Sequence, residues 1–418
     1  MADQLAGIDV NVDIGVQEIL LAASQHDVSQ LRKLLRSNDK VQDPVNARDP
    51  ETAFTPLHAA IAACEPDADD QEKSTAETAT SNGVEESRAQ TLDAAKETVR
   101  LLLEEGAIWN DLDVKQETPG CLARRLGLTE LYELMVDAGV RSEMLLNRLD
   151  DYEPLADDGD EDDETEEQAE ATDDQVEKEK TPIPSQVEVN EEPNSTSEGP
   201  EVSSERYLQS NLTFQSGRLL DQDQNGVMMA WESDIMARSA KNLLPAPGLR
   251  VLNIGHGMGI VDNFFQAQSP SSHHIVEAHP DVLADMKSKG WYEKPGVVVH
   301  EARWQDALSK LVEEGVTFDA IYYDTFAESY SDFREFFSEH VIGLLDPDGK
   351  WGFFNGMGAD RPISYDVYQK VVEIDLFEAG FDVEWEKVKV PELEGEWAGV
   401  RRSYWAIDNY RLPTCKYM

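Results

Sequence analysis

Two textures of hydrophobic and polar spacing divide the chain. From Val16 to about Leu149 the apolar residues recur at helical spacing in short segments separated by turn signals. Ile19-Leu20-Leu21-Ala22-Ala23 leads into Val28-Ser29-Gln30-Leu31-Arg32-Lys33-Leu34-Leu35, Val99 to Leu103 form another helix closed by Gly106, and a further pair closes at Ala138-Gly139. From about Arg206 onward the pattern alternates short apolar runs with helical segments. Arg250–Ile254, His274–Glu277, Val297–His300, Phe318–Tyr323 and Trp351–Phe354 are predicted strands, the last following a turn at Asp346-Pro347-Asp348-Gly349. Phe381–Val390 and Ser403–Ile407 have no helix-length segment between them, which predicts an antiparallel pair. The expectation is a parallel α/β sheet ending in a hairpin.

The helical half repeats itself. Thr55-Pro56-Leu57-His58-Ala59-Ala60 starts one helix and Thr118-Pro119 another, and Leu102-Leu103-Glu104-Glu105-Gly106-Ala107 ends one. In such starts Thr caps the helix and Pro sits at its first position, while Gly adopts the left-handed conformation at the far end. These segments resemble ankyrin repeats, with the second start degraded because Gly120-Cys121 stands where Leu-His is the rule. Residues 16–149 are thus expected to be an ankyrin-like repeat domain that presents a concave protein-binding surface. Its polar stretch, residues 64–94, reads as a disordered insertion. Residues 150–201 hold 22 acidic and 2 basic residues, an acidic disordered linker whose self-repulsion keeps it extended. Residues 202–418 form the α/β domain.

Charge narrows the partners. The chain carries 84 Asp+Glu against 36 Lys+Arg, a formal net charge of -48. Nucleic acid and anionic membranes demand clustered Lys/Arg, so a basic protein partner is expected instead. No apolar run approaches a membrane span, and Met1-Ala2-Asp3-Gln4 has no signal-peptide character, so an intracellular protein is expected. Cys64, Cys121 and Cys415 are far apart, which favours neither disulfides nor zinc, and no metal site is predicted.

The chemistry gathers in the α/β half. Gly255-His256-Gly257-Met258-Gly259 between strand and helix lets backbone approach a ligand closely, and Glu277 ends the next strand where it can accept hydrogen bonds from two ribose hydroxyls. Both features also suit a nicotinamide dinucleotide. The G-x-G-x-G spacing and the terminal hairpin favour an S-adenosylmethionine-dependent methyltransferase.

Val227-Met228-Met229-Ala230-Trp231-Glu232, Gly255 to Ile260, Arg303-Trp304-Gln305-Asp306 and Tyr322-Tyr323-Asp324-Thr325-Phe326 resemble the blocks of guanidinoacetate methyltransferase. With the helical half added, the chain resembles the fungal protein arginine N5-methyltransferase family, the type IV enzymes. The resemblance implies a class I methyltransferase domain with a Rossmann-like seven-stranded sheet. It implies transfer of a methyl group from S-adenosylmethionine to the internal nitrogen of an arginine, in a large-subunit ribosomal protein, in cytoplasm and nucleus. Glu232 and Asp324 are the expected catalytic pair gripping the guanidine, because carboxylates orient its planar fork and favour loss of its proton. The plain alternative for each is a surface ion pair or a helix cap. By the same resemblance the cofactor is held by Gly255, His256, Gly257, Met258, Gly259, Ile260, Glu277, Ala278, His279 and Asp324. Trp304 and Gln305 flank the adenine, Met228 and Met236 line the methionine end, and Tyr207 closes the site as part of a lid. His256 is expected to pack over the cofactor and His279 to contact the adenosine. The competing functions are a small-molecule guanidine methyltransferase and a noncatalytic ankyrin scaffold.

Overall fold

The computed structural model describes residues 14–37, 41–65, 81–150 and 202–418. Of the acidic linker expected over residues 150–201, Asp150 ends a helix and residues 151–201 lie outside the described residues.

In the first half the Thr-Pro starts do form helices, Pro56–Ala62 and Pro119–Arg125, each preceded by a Thr in extended conformation. The Thr118 hydroxyl accepts the Cys121 amide at 3.1 Å. At the first start a histidine shares the work: His58 Nδ1 accepts the Thr55 amide at 3.3 Å and meets the Thr55 hydroxyl at 2.9 Å. Its Nε2 lies 3.1 Å from the Glu117 carbonyl, so the ring joins one helix start to the residue before the next. The helices Ile14–Ser24, Val28–Ser37, Ser81–Glu104 and Thr129–Asp150 complete this half. The expected disordered insertion is corrected in part: residues 66–80 lie outside the described residues, but from Ser81 onward the stretch is helical. Its Ala and Glu content, read as flexible, is equally good helix-forming material.

The second half is built on a seven-stranded sheet. Its strands are β4 (Arg250–Ile254), β5 (Ser272–Glu277), β6 (Val297–Glu301), β7 (Phe318–Tyr323), β8 (Leu345–Phe353), β9 (Phe381–Lys389) and β10 (Asn409–Tyr417). They run in the order β6-β5-β4-β7-β8-β10-β9, with β10 antiparallel to both neighbours. The terminal hairpin is present, but its second strand is Asn409–Tyr417 rather than Ser403–Ile407. Pro413 in that strand argues against a ladder position and hid it. Asp346–Gly349, expected as a turn before the fifth strand, falls inside β8, where the register slips between Phe318↔Leu345 and Ala320↔Lys350. An unforeseen antiparallel sheet of β1 (Thr213–Gln215), β2 (Arg218–Leu220) and β3 (Gly226–Met229) precedes the large one.

Large side chains fill both faces of the sheet. Trp304, Phe333, Phe336, Phe337 and Trp351 pack in one core cluster, and Phe265, Val282, Trp291 and Tyr322 in another. The two halves also share a core. Ile363, Val367 and Val371 of helix Pro362–Glu378 belong to the same buried cluster as Leu131, Met135 and Trp109. Gly120 and Gly139 permit the approach: a Cβ at either would lie 1.8 Å from Ile363 Cδ1 or 2.6 Å from Val367 Cγ2. Among the described residues no helix is long and apolar enough to cross a membrane.

Candidate functional site

Strand order locates the site. The chain runs outward from β4 through β5 to β6, then returns to place β7 on the other side of β4, so a crevice opens at the carboxyl ends of β4 and β7. The Asp324 amide donates to the Ile254 carbonyl at 2.9 Å, which brings the loop after β7 against the loop after β4. The glycines there are required by geometry. Gly255 has φ +89°, and a Cβ would stand 1.9 Å from the Asp324 carbonyl oxygen. Gly257 has φ +54°, and its Cβ would run into the Met228 side chain at 2.7 Å.

Glu277, at the end of β5, is 7% exposed. It accepts the amides of His256 at 2.9 Å, Ala278 at 2.8 Å and His279 at 2.7 Å, so it ties the glycine loop to the strand end as well as facing the cavity. That cavity is lined by Tyr207, Met228, Gly255, Gly257, Glu277, Ala278, Trp304 and Asp324, all expected at the cofactor. Apolar walls, a glycine cradle that any Cβ would fill and a carboxylate at the strand end fit an adenosyl sulfonium.

The other expected residues stand elsewhere. Met236 is fully buried in the core with Leu243 and Phe265 and lines neither cavity. His256 does not lie over the cavity but turns beneath the loop, its Nδ1 2.6 Å from Asp262 and its ring edge-on to Trp291. Burial works to raise the Asp262 carboxyl, but His256 and His273 outweigh it and hold it down at about 2. His279 acts through Tyr207: its Nε2 lies 3.0 Å from the Tyr207 carbonyl, and its ring is 4.8 Å from the tyrosine ring. Met258, Gly259, Ile260 and Gln305 are also absent from the lining. Gly259 starts helix Ile260–Ala267 in left-handed conformation, and Gln305 follows Trp304 one step further around helix Trp304–Glu313.

A second cavity adjoins the first, sharing Val227, Asp324, Thr325, Phe326 and Glu328 with it. Glu232, Asn355 and Tyr404 line its far side. Short β3 and the following turn carry Glu232 there, 3% exposed, with the Tyr404 hydroxyl donating to its Oε1. Asp324 Oδ2 is buried and has no hydrogen-bond partner among the described residues. Burial, and then the Asp324 charge, push Glu232 up to about 8, against the pull of Tyr404. Burial, and then the Asp262 charge, push Asp324 up to about 7. Two buried carboxylates facing one cavity without a cation are costly, and a bound cation relieves that cost.

Sequence reasoning missed Tyr404, Glu328 and Asn355. Tyr404 sits in the segment read as a strand, and Glu328 and Asn355 lie on loops with no motif spacing. The one available signal was an acid four positions past Asp324.

A glycine cradle after the first strand, an acid closing the second and a reversed hairpin at the sheet edge together define an S-adenosylmethionine-dependent methyltransferase. A family profile described as guanidinoacetate N-methyltransferase matches residues 208–394. Over its full length the chain is 67% identical to protein arginine N-methyltransferase 2 of Aspergillus fumigatus, covering 100% of both chains. It is 64% identical to the protein of that name in Emericella nidulans over 98% of both chains. The Gibberella zeae protein is 46% identical over 94% of this chain and 90% of its own. The chain belongs to the protein arginine N-methyltransferase 2 family.

Proposed function

We propose that the protein methylates the internal (δ, N5) guanidino nitrogen of an arginine in a protein, with a large-subunit ribosomal protein as the expected acceptor. The observation that carries this reading is the pair Glu232 and Asp324 facing one cavity next to the cofactor cavity. The names of the relatives support arginine as the acceptor. The N5 position rests on the family resemblance of the sequence blocks.

S-adenosylmethionine supplies an electrophilic methyl group, and the residues of the chain prepare the nitrogen that receives it. A guanidinium is a poor nucleophile because its lone pairs are delocalised. Asp324, with an unshared oxygen, and Glu232, with one oxygen engaged by Tyr404, accept N–H groups of the fork and hold its plane. Fixing that plane supplies the orientation on which an in-line displacement depends. As the nitrogen forms its new C–N bond it sheds a proton, and two carboxylates whose pKa values are raised toward neutrality are suited to take it. Phe326, Phe354 and Met357 give the second cavity the apolar walls an arginine stem requires. The helical half, read as ankyrin-like, is assigned the holding of a basic substrate, in keeping with the acidic balance of the chain. Cytoplasm and nucleus, where ribosomal proteins are made and assembled, are the compartments this reading expects.

The test is incubation of the purified protein with labelled S-adenosylmethionine and a ribosomal protein extract, followed by fragmentation mass spectrometry. A methyl on the internal nitrogen of a protein arginine is expected, and a methyl confined to terminal nitrogens would overturn the regiochemistry. A second reading, a small-molecule guanidine methyltransferase, is favoured by the guanidinoacetate profile match. Label on free guanidino compounds in preference to protein would select it.

A further inference from the structure

The turn that follows Asp324 is held against its own preference. Ala327 has φ +63°, in the left-handed region that residues bearing a Cβ rarely adopt. Such a conformation persists where its surroundings over-determine it, and it concentrates at working sites. The next residue supplies the restraint. Glu328 Oε2 accepts the indole N–H of Trp304 at 2.7 Å, the hydroxyl of Tyr323 at 2.5 Å and the hydroxyl of Thr325 at 3.3 Å. The three donors come from the first residue of helix Trp304–Glu313, the last residue of β7 and the turn itself. One residue further on, the Ser329 amide donates to Asp332 at 2.8 Å, and Asp332 returns its own amide to the Ser329 hydroxyl at 3.1 Å. Tyr323 is wedged against Phe336 with ring centroids 4.3 Å apart, so the donors themselves have little freedom. The Glu328 side chain lines both cavities, in the wall they share.

We propose that Glu328 is a positioning residue for methyl transfer, a latch that locks the Asp324–Ser329 turn in its strained form and fixes Trp304 to the same point. Asp324 and Phe326 then stand where both cavities use them, and Trp304 keeps the wall of the cofactor cavity in register with the turn. This rests on methyl-transfer activity and is independent of which arginine nitrogen is methylated.

The test compares Glu328→Ala with Glu328→Gln in the full chain. Three quantities are read: binding of S-adenosylhomocysteine by calorimetry, initial rate of label transfer to a ribosomal protein extract, and amide hydrogen exchange across residues 324–329. A 1 Å misplacement costs on the order of 100-fold in rate, so Glu328→Ala is expected to slow transfer by about that factor, weaken S-adenosylhomocysteine by about tenfold and accelerate exchange in the turn. Glu328→Gln keeps an acceptor oxygen for Trp304 and is expected to restore all three most of the way. Wild-type values in the alanine variant, or a glutamine variant as impaired as the alanine one, overturn the latch. Should the alanine variant fail to fold, Tyr323→Phe and Thr325→Val each remove one donor, and unchanged exchange in the turn in both would equally overturn it. Binding and exchange do not depend on the acceptor, so failure of the extract to accept label counts against the proposed function and leaves the latch decided by these two readouts.

Discussion

Replacing Asp324 with Asn should make the protein more stable and nearly inactive, and pH separates the two effects. Asp324 is half-buried, and its Oδ2 is buried and lacks a hydrogen-bond partner among the described residues. Its carboxyl is raised from 3.8 to about 7 in the fold. Between those values the folded chain binds the proton and the unfolded chain does not, so stability falls as pH rises from about 4 to about 7 and the full cost is present above. At about 1.36 kcal/mol per pH unit this is roughly 4 kcal/mol at its upper limit. Asn keeps the shape and has no proton to lose. Thermal melts without ligand should therefore show the variant and the wild type converging toward pH 4 and the variant several degrees higher at pH 8. Hydrogen bonds to a charged group contribute about 1.5–3 kcal/mol each, so losing the negative charge opposite two guanidine N–H groups should slow transfer by about 10²- to 10⁴-fold. A variant less stable than wild type at pH 8, or one within tenfold of its rate, would refute the account of Asp324 as an uncompensated charge awaiting a cation.

Three further substitutions probe neighbouring claims. Tyr404→Phe removes the donor that pulls the Glu232 carboxyl down, so its pKa should rise further and the acid limb of kcat/KM should move to higher pH; a limb that stays put or moves down contradicts the assignment. Gly257→Ala places a Cβ 2.7 Å from Met228 Cε and should weaken S-adenosylhomocysteine at least about tenfold, with Met228→Ala in the same chain restoring part of it. Calorimetry that finds no loss would show that the cradle tolerates a side chain. Gly139→Leu overpacks the contact with Val367 and Trp109 and should lower the unfolding free energy by about 1–3 kcal/mol or more, seen as a lower denaturant midpoint, while an unchanged midpoint would refute the shared core.

The parallel strands were legible because each is a short apolar run bounded by turn residues, and Phe318–Tyr323 appears with its expected ends. The carboxyl-end positions of Gly255, Glu277 and Asp324 followed from the ends of the predicted strands. The last strand was not legible, since Pro413 breaks its pattern, and moving the strand left Tyr404 on a loop that enters the site. His256 is expected over the cofactor and His279 at the adenosine because both stand beside the cofactor loop and strand end. Each is held by a local hydrogen bond, His256 Nδ1 to Asp262 and His279 Nε2 to the Tyr207 carbonyl, which spacing does not reveal. Met236 followed the same logic in reverse: a helix facing the site also faces the core, and only packing tells which side a residue takes.

Helix Pro362–Glu378 belongs by sequence to the catalytic half and by packing to the helical half. Ile363, Val367 and Val371 lie on its face toward the first half, with Lys370 reaching Asp137 and Tyr368 reaching Glu143. The covalent connection through residues 151–201 is therefore redundant with a noncovalent one. A chain nicked by a protease within that segment should elute as one particle, whereas a catalytic half made alone would carry an unpaired apolar stripe and tend to precipitate. Removal of the first 150 residues thus cannot be read as removal of a recognition module alone. In mechanical terms the two halves form a caliper: the distance from any surface of the helical half to Asp324 is set by packing, and under the proposed function an acceptor held there would have to present its arginine at that one span.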